Sequence, residues 1–179
     1  MRGATRLPAR SDELLAAAER AFARRGYFGT STAEVAAEMG VSQPYVMQAF
    51  RSKRNLFVLT HRFSGEKVLR AFSTCLADEG FDPSRIGSAY RELVLRQRPA
   101  VLVFAHAFSA AAGEPVIGEE SRRLFGEIHR LLASSGATEP EIAGFMGRGM
   151  LINTLLLMEG PHYAARHGFE PLTGLVLGS

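Results

Sequence analysis

Hydrophobic residues recur three to four positions apart along almost the whole chain, a spacing typical of amphipathic α-helices. In the first such segment Leu15, Ala18 and Phe22 fall on one face. Ser11 stands where a helix N-cap is expected, and Gly26 is expected to end the helix. No segment alternates as a β-strand does, and no internal repeat is found. The pattern therefore predicts an all-α fold.

Capping signals divide the rest of the chain into further helices. Ser31-x-x-Glu34 and Thr138-x-x-Glu141 are capping boxes, in which a hydroxyl and a carboxylate satisfy N–H groups at a helix start. Gly40 is expected to end the second helix. The later helices are predicted at 42–50, 52–79, 84–97, 99–112, 116–134, 138–158, 162–167 and 171–177.

The segment EVAAEMGVSQPYVMQAF, residues 34–50, joins two short helices through a glycine turn. Val46 and Phe50 lie four residues apart and share the buried face of the second helix, while Pro44 and Gln48 lie on the opposite side. Two short helices arranged in this way form a helix-turn-helix, and the major groove of B-DNA admits one α-helix with its side chains. The segment therefore predicts a DNA-binding unit.

Side chains around this face have chemistry suited to DNA. A glutamine amide matches the acceptor and donor pair on an adenine edge, and hydroxyls at a helix N-terminus favour a phosphate. Two alternatives remain, because Tyr45 and Met47 could pack against the fourth helix, and Ser31 and Ser42 could act only as caps. The residues expected to contact DNA on these grounds are Thr30, Ser31, Thr32, Gln43, Pro44, Tyr45, Met47, Gln48, Arg51, Lys53 and Arg54.

The distribution of charge agrees with a DNA-binding N-terminal part. Residues 1–54 hold nine Lys or Arg against five Asp or Glu, whereas residues 55–179 hold twelve against thirteen. A basic excess confined to one part of a chain is typical of a module that binds a polyanion. Basic N-termini are also common, so charge alone does not decide between these interpretations.

Composition limits the class of protein. Hydrophobic residues make up 46% of the chain and charged residues 22%, as in soluble globular proteins. The single cysteine, Cys75, excludes an intramolecular disulfide and a cysteine-based zinc site, and it fits a reducing compartment. The N-terminus has no apolar signal core, and no apolar run approaches the ~20 residues of a membrane-spanning helix. We therefore expect a cytoplasmic protein without a membrane partner.

The N-terminal block from Leu14 to Phe57 contains a specific set of residues. They are Phe22, Gly26-Tyr27, Thr30-Ser31, Val35-Ala36, Gly40-Val41-Ser42, Phe50, Ser52-Lys53 and Leu56-Phe57. This block, about a quarter of the chain, resembles the N-terminal domain of the TetR family of transcriptional regulators. The resemblance implies a ligand-responsive homodimer, a repressor more often than an activator, that binds a palindromic operator of double-stranded DNA.

The resemblance also implies roles for individual positions. It gives phosphate contacts to Thr30, Ser42 and Lys53, and operator-facing positions to Gln43, Pro44, Tyr45 and Gln48. The family usually has an aromatic residue where this chain has Met47, so we expect Met47 to fill the groove or pack and not to donate a hydrogen bond. The implied organisation is a helix-turn-helix domain at 1–54 and a helical regulatory and dimerisation domain at 55–179.

A small-molecule effector of unknown class is the second implied partner. An apolar cavity for it is expected from Phe72, Tyr90, Val94, Phe104, Phe108, Phe125 and Met146. His106, His129 or Arg96 are candidate polar anchors. The alternative is that these side chains simply fill the core of the second domain.

The segment EIAGFMGRGMLINTLLLMEG, residues 141–160, is apolar around most of its helical circumference. A helix of this kind is buried on both sides, so we expect it to contribute to a dimer. The expected interface residues are Phe145, Gly149, Ile152, Asn153 and Leu156. A two-fold dimer places its recognition helices roughly 34–36 Å apart, so the operator should be an inverted repeat.

Two other functions compete with DNA binding, an enzyme and a protein-binding module. Ser64-Gly65-Glu66-Lys67 fits the S-x-x-K pattern of serine–lysine enzymes, but the accompanying S-D-N and K-T-G elements are absent. The five histidines show no metal-ligand spacing, so we expect no enzyme, no metal and no cofactor. A helical module that binds protein is the second rival, and it predicts no salt-dependent affinity for DNA.

Overall fold

The computed structural model describes residues 11–76 and 80–178, and all regular structure within these ranges is helical. The prediction of an all-α fold is confirmed. Residues 1–10 of the expected first domain, and the expected continuation of the fourth helix to residue 79, lie outside the described ranges. The helices are α1 (Ser11–Gly29), α2 (Thr32–Met39), α3 (Gln43–Phe50), α4 (Lys53–Leu76), α5 (Pro83–Arg96), α6 (Arg98–Ala110), α7 (Pro115–Ser134), α8 (Glu139–Leu157), α9 (Gly160–His167) and α10 (Glu170–Leu177).

The expected caps set the helix boundaries. Ser31 Oγ accepts a hydrogen bond from the backbone N of Glu34 at 3.2 Å, and the Glu34 carboxylate accepts one from the backbone N of Ser31 at 2.7 Å. At the second capping box the Glu141 carboxylate accepts hydrogen bonds from the backbone N of Thr138 at 2.8 Å and from its hydroxyl at 2.6 Å. Gly40 ends α2 in the left-handed conformation, with φ of 66°. Each of these boundaries follows from local hydrogen bonding.

Gly26 interrupts α1 at the position where the first helix was expected to end. Its φ of 65° and ψ of −167° break the helical geometry, and α1 nevertheless extends to Gly29. A Cβ atom at Gly26 would lie 2.9 Å from His106 Nδ1 on α6, and His106 Nε2 lies 3.2 Å from the carbonyl oxygen of Ala23. The glycine therefore permits both the unusual backbone angles and the close approach of α6.

Two buried clusters fill the protein. The first lies among α1, α2, α3 and the start of α4, and it continues onto α6 and the start of α7. At its centre Phe22 and Phe57 meet edge to face, with ring centroids 4.9 Å apart. The second lies among the rest of α4 and α5, α6, α7, α8 and α10. Because α4 contributes to both clusters, it joins the N-terminal helices to the rest of the protein. A domain boundary at residue 54 stays a prediction.

A buried ion pair fastens α4 to α1. The Glu19 carboxylate, on α1, accepts hydrogen bonds from Ser64 Oγ at 2.7 Å and from Lys67 Nζ at 2.8 Å, both on α4. Ser64 is fully buried, so no substrate reaches its hydroxyl. The serine and lysine that suggested an enzyme thus have a structural role, because together they satisfy one buried carboxylate.

Polar contacts also fasten α4 to α7. Arg62 donates to both oxygens of the buried Glu120 carboxylate, at 3.0 and 2.8 Å, and Arg123 donates to it at 2.6 Å. Burial alone would raise the pKa of Glu120, but the hydrogen bonds and charges of Arg62 and Arg123 outweigh it and lower the pKa to about 2. Next to this cluster, His61 Nε2 lies 3.1 Å from Ser121 Oγ. Burial lowers the pKa of His61 to about 4.

The low pKa of His61 predicts a loss of stability in mild acid. A histidine has a pKa near 6.5 when unfolded, so below that pH the unfolded chain binds a proton that the folded chain does not. From pH 7 to pH 5 we expect wild type to lose roughly 2 kcal/mol of unfolding free energy that His61→Leu retains. Urea titrations at both pH values measure the difference. Equal pH dependence in the two proteins would contradict this assignment.

Candidate DNA-binding face and ligand cavity

Two buried side chains anchor α3 to the protein. Val46 and Phe50 are almost completely covered, and Val41 packs partly against the same cluster. Beyond the helix, Arg51 adopts φ of 66°, and its N–H donates to the Met47 carbonyl at 2.9 Å. Asn55 Nδ2 donates to the carbonyl oxygen of Phe50 at 3.0 Å. Packing and end capping thus fix which side of α3 faces inward.

The opposite side of α3 faces solvent. Tyr45 and Met47 are each 40% exposed, so neither packs beneath α4 as the alternative interpretation required. Pro44 and Gln48 are exposed beside them. The helix has 8 residues and presents the side chains of this face to solvent. The major groove of B-DNA is wide enough to admit one such helix.

Hydrogen bonds join the N-terminal ends of α2 and α3. Gln43 Nε2 donates to Thr32 Oγ1 at 2.8 Å. Ser42 Oγ accepts from the backbone N of Tyr45 at 3.3 Å, and Ser31 forms the capping box of α2. The hydroxyls of Ser31 and Ser42 therefore act as caps, and both residues are exposed.

Lys53 and Thr30 differ from the other expected contacts because they are engaged inside the protein. Lys53 Nζ donates to the carbonyl oxygens of Tyr27 at 2.9 Å and Thr30 at 3.1 Å, and it lies 4.5 Å from the centroid of the Tyr27 ring. Thr30 is only 3% exposed, and its hydroxyl has no hydrogen-bond partner. The hydroxyl of Thr30 is thus not part of the exposed face. The two hydrogen bonds of Lys53, to Tyr27 and Thr30, join residues 26 and 23 positions apart, so helical periodicity could not predict them.

The N-terminal helices match a known family. Residues 14–59 match the family model described as bacterial regulatory proteins, tetR family. The match runs from α1 through α2 and α3 into α4, and it includes the whole exposed face of α3. The resemblance of the N-terminal helices to the TetR family is therefore confirmed over residues 14–59.

Solved structures have a similar fold over most of the chain. A transcriptional regulator from Rhodococcus sp. RHA1 is 26% identical, with a TM-score of 0.63 over 94% of this chain and 96% of the other. A TetR-like transcriptional regulator from the same organism is 23% identical, with a TM-score of 0.64 over 84% and 86%. The fatty acid degradation regulator FadR from Bacillus halodurans has the same fold at 14% identity, with a TM-score of 0.66 over 96% of each chain. No curated protein matches this chain.

The family matched by residues 14–59 consists of regulatory proteins and not of enzymes. Within residues 11–76 and 80–178, no helix combines the length and apolar character needed to cross a membrane. The same described residues contain no group of three or more His, Cys, Asp or Glu side chains that could hold a metal ion.

Helices of the second cluster line a cavity of about 530 Å³. Six of the seven residues expected to line a ligand cavity do line it, and Val94 is instead packed in the second cluster. Aromatic rings meet along the walls, with Phe104 and Phe108 centroids 5.0 Å apart and Phe72 and Phe145 centroids 5.4 Å apart. The six expected residues that line the cavity are Phe72, Tyr90, Phe104, Phe108, Phe125 and Met146.

The expected polar anchors of this cavity lie elsewhere. His106 contacts α1, His129 lies 3.0 Å from the Glu139 carboxylate, and Arg96 forms a surface ion pair with Glu92 at 2.9 Å. The polar groups that do line the interior belong to Tyr90 and Asn153, and the sequence did not predict that these two residues pair. Tyr90 donates its hydroxyl hydrogen to Asn153 Oδ1 at 2.5 Å.

Residues expected at the dimer interface face the inside of the protomer. Phe145, Gly149, Ile152 and Asn153 line the cavity, and Leu156 is buried in the second cluster. The structure therefore corrects which side of α8 is exposed. The side that carries these residues covers the cavity, and a different side faces solvent. The exposed large apolar residues of α8, α9 and α10 are Met150, Leu157, Tyr163, Leu172 and Leu175, with Met158 in the turn after α8.

Proposed function

We propose that this chain is a ligand-responsive repressor of transcription that binds a palindromic DNA operator as a homodimer. The recognition helix is α3, and a small molecule in the cavity releases the DNA. The observation that carries the proposal is the division of α3 into a buried side, at Val46 and Phe50, and an exposed side that includes Tyr45 and Gln48. A regulator of chromosomal genes in a bacterium works in the cytoplasm, which is the location we infer.

Contacts with DNA divide into those that position the protein and those that read bases. Gln48 and Tyr45 are placed to meet base edges from the middle of α3. Phosphates meet backbone N–H groups and hydroxyls at the N-terminal turns of α2 and α3, where Ser31 and Ser42 are exposed and Thr32 is half-buried. Lys53 adds positive charge at the same end, and its ammonium group retains one N–H beyond those donated to the two carbonyls.

A homodimer is supported by the apolar surface that α8 and α10 leave exposed. Met150, Thr154 and Leu157 form a stripe along α8, and Leu175 on α10 is 69% exposed. Exposed apolar surface of this extent is typical of a subunit interface. We infer that this face pairs two subunits about a two-fold axis, so the operator is an inverted repeat with half-sites about one helical turn apart.

Release of DNA by a ligand is supported by the position of α4. Val68 and Phe72 of this helix line the cavity, while Glu19 of α1 is bonded to Ser64 and Lys67 one to two turns away. A ligand that fits only one position of α4 shifts the population toward it, by no more than its difference in affinity for the two positions. A shift of α4 changes the separation of the two recognition helices in a dimer.

The test of base reading is Gln48→Ala. Duplex DNA selected from a random pool supplies the operator, and fluorescence anisotropy measures affinity for it and for random duplex. We expect Gln48→Ala to cost about 1–3 kcal/mol on the operator and little on random DNA, because only the base contact is lost.

Gln97→Ala is the matched control, since Gln97 is an exposed glutamine at the end of α5, outside the helix-turn-helix. It should leave both affinities unchanged. Affinity for either DNA should also fall linearly with salt on logarithmic axes, as phosphate contacts require. Equal losses of Gln48→Ala on operator and random DNA would show that Gln48 does not read bases. A protein without affinity for any duplex at low salt would rule out the proposed function.

A further inference from the structure

The buried part of the cavity wall consists mainly of aromatic side chains and carries no charged side chain among the described lining residues. Five phenylalanines supply most of the apolar surface, and Ile152 and Met146 fill the space between them. Cavities of this size bind drug-sized molecules, and apolar walls provide the affinity through burial of ligand surface. The phenylalanines are Phe72, Phe104, Phe108, Phe125 and Phe145.

One polar pair interrupts these walls. Tyr90 and Asn153 are 5% and 3% exposed, and they are hydrogen-bonded to each other. Burial raises the pKa of Tyr90, so its hydroxyl stays neutral. Asn153 Nδ2 has no hydrogen bond to another described residue and remains able to donate to a ligand oxygen, while the Tyr90 oxygen can accept from a ligand N–H.

The charged residues that line the cavity lie at its solvent side. Glu141 and Arg148 are exposed, and Arg91 is half-buried. Each already has a partner, because Arg148 donates to the Leu175 carbonyl at 2.7 Å, Arg91 donates to Ser88 at 2.8 Å, and Glu141 caps α8. No charged group of the described lining residues is therefore buried where it could neutralise an ion in the interior.

We propose that the ligand of this cavity is a non-anionic, largely aromatic molecule that places one hydrogen-bonding group against the Tyr90–Asn153 pair. The proposal rests on the proposed function only in naming the ligand class of its regulatory cavity. An anion placed between the phenylalanine rings would lose its hydration without gaining an opposite charge and would meet the negative ring faces, which excludes carboxylates from the interior.

Two fluorescent probes that share one aromatic skeleton test the proposal. N-phenyl-1-naphthylamine is uncharged, and 8-anilino-1-naphthalenesulfonate adds a single negative charge to the same rings. Titration of the full-length protein with each probe gives the two affinities from the rise in emission. We expect the uncharged probe to bind at least tenfold more tightly, because the sulfonate would have to leave water.

Substitutions at two glycines of α8 test whether the probe binds in this cavity. Gly149 lines it, whereas Gly147 lies about 200° around the helix and is exposed, and a Cβ at either position meets no atom within 4 Å. Gly149→Leu should therefore fill the cavity and reduce affinity for the uncharged probe at least tenfold. Gly147→Leu should keep the wild-type affinity. Tyr90→Phe, which removes only the hydroxyl, should weaken the probe about twofold to tenfold.

Several results would overturn the proposal. They are tighter or equal binding of the sulfonate probe, equal losses in the two glycine variants, unchanged affinity in Tyr90→Phe, or no binding of either probe. The same preparations are assayed for binding to selected operator DNA. Retained DNA binding beside any of these results would reject the ligand class alone, whereas loss of DNA binding in wild type would reject the proposed function.

Discussion

Replacing Lys67 by methionine is expected to lower the free energy of unfolding by about 3–5 kcal/mol, because it leaves a buried charge unpaired. Glu19 is 4% exposed, and within residues 11–76 and 80–178 Lys67 Nζ is the only cation paired with it. The ammonium group also lies 4.4 Å from the centroid of the Phe63 ring, so the substitution removes that contact as well. Urea denaturation followed by circular dichroism measures the loss.

Two further variants show that the loss comes from the unpaired carboxylate. Lys67→Met combined with Glu19→Gln should recover most of the stability, since a neutral amide can still accept from Ser64. Arg96→Met breaks an exposed ion pair and should change stability by only about 0–1 kcal/mol. A loss in Lys67→Met no larger than that in Arg96→Met would contradict a buried ion pair between α1 and α4.

The two sides of α3 should respond oppositely to truncation. Phe50→Ala is expected to cost about 3–5 kcal/mol of stability, because Phe50 is fully buried in the first cluster. Met47→Ala should change stability by less than about 0.5 kcal/mol, because Met47 is on the exposed side. Affinity for the selected operator should fall in Met47→Ala while its melting temperature stays constant.

Thermal unfolding and anisotropy on the same samples separate these effects. If Met47→Ala destabilised the protein as much as Phe50→Ala, α3 would have no free face. If it left operator affinity unchanged, Met47 would not contact DNA, although Gln48 and Tyr45 could still do so. The pair of variants therefore tests the arrangement of α3 independently of the choice of bases in the operator.

Local signals in the sequence were sufficient for the helices. Capping boxes at Ser31 and Thr138, and the left-handed glycine at Gly40, act within one turn of the chain, so the order of residues specifies them directly. Gly26 is the exception, because its kink serves a contact with His106 on α6. The break in the helix was predicted from the glycine, but a contact with a residue eighty positions away leaves no local pattern.

The candidate sites were predictable to different degrees. The exposed face of α3 followed from the spacing of Val46 and Phe50, because helical periodicity fixes the opposite side once one side is buried. The same argument failed on α8. Its apolar residues surround the helix, so periodicity could not tell the side facing Tyr90 and the cavity from the side that is exposed.

By itself, the sequence determined the order of helices, the helix-turn-helix and the side of α3 that faces solvent, since each depends on contacts between residues close in the chain. Tertiary structure alone decided the partners of buried polar groups, including Glu19 with Lys67 and Tyr90 with Asn153. It also decided which side of α8 covers the cavity. The two polar pairs join residues 48 and 63 positions apart, and only the packing of whole helices brings such residues into contact.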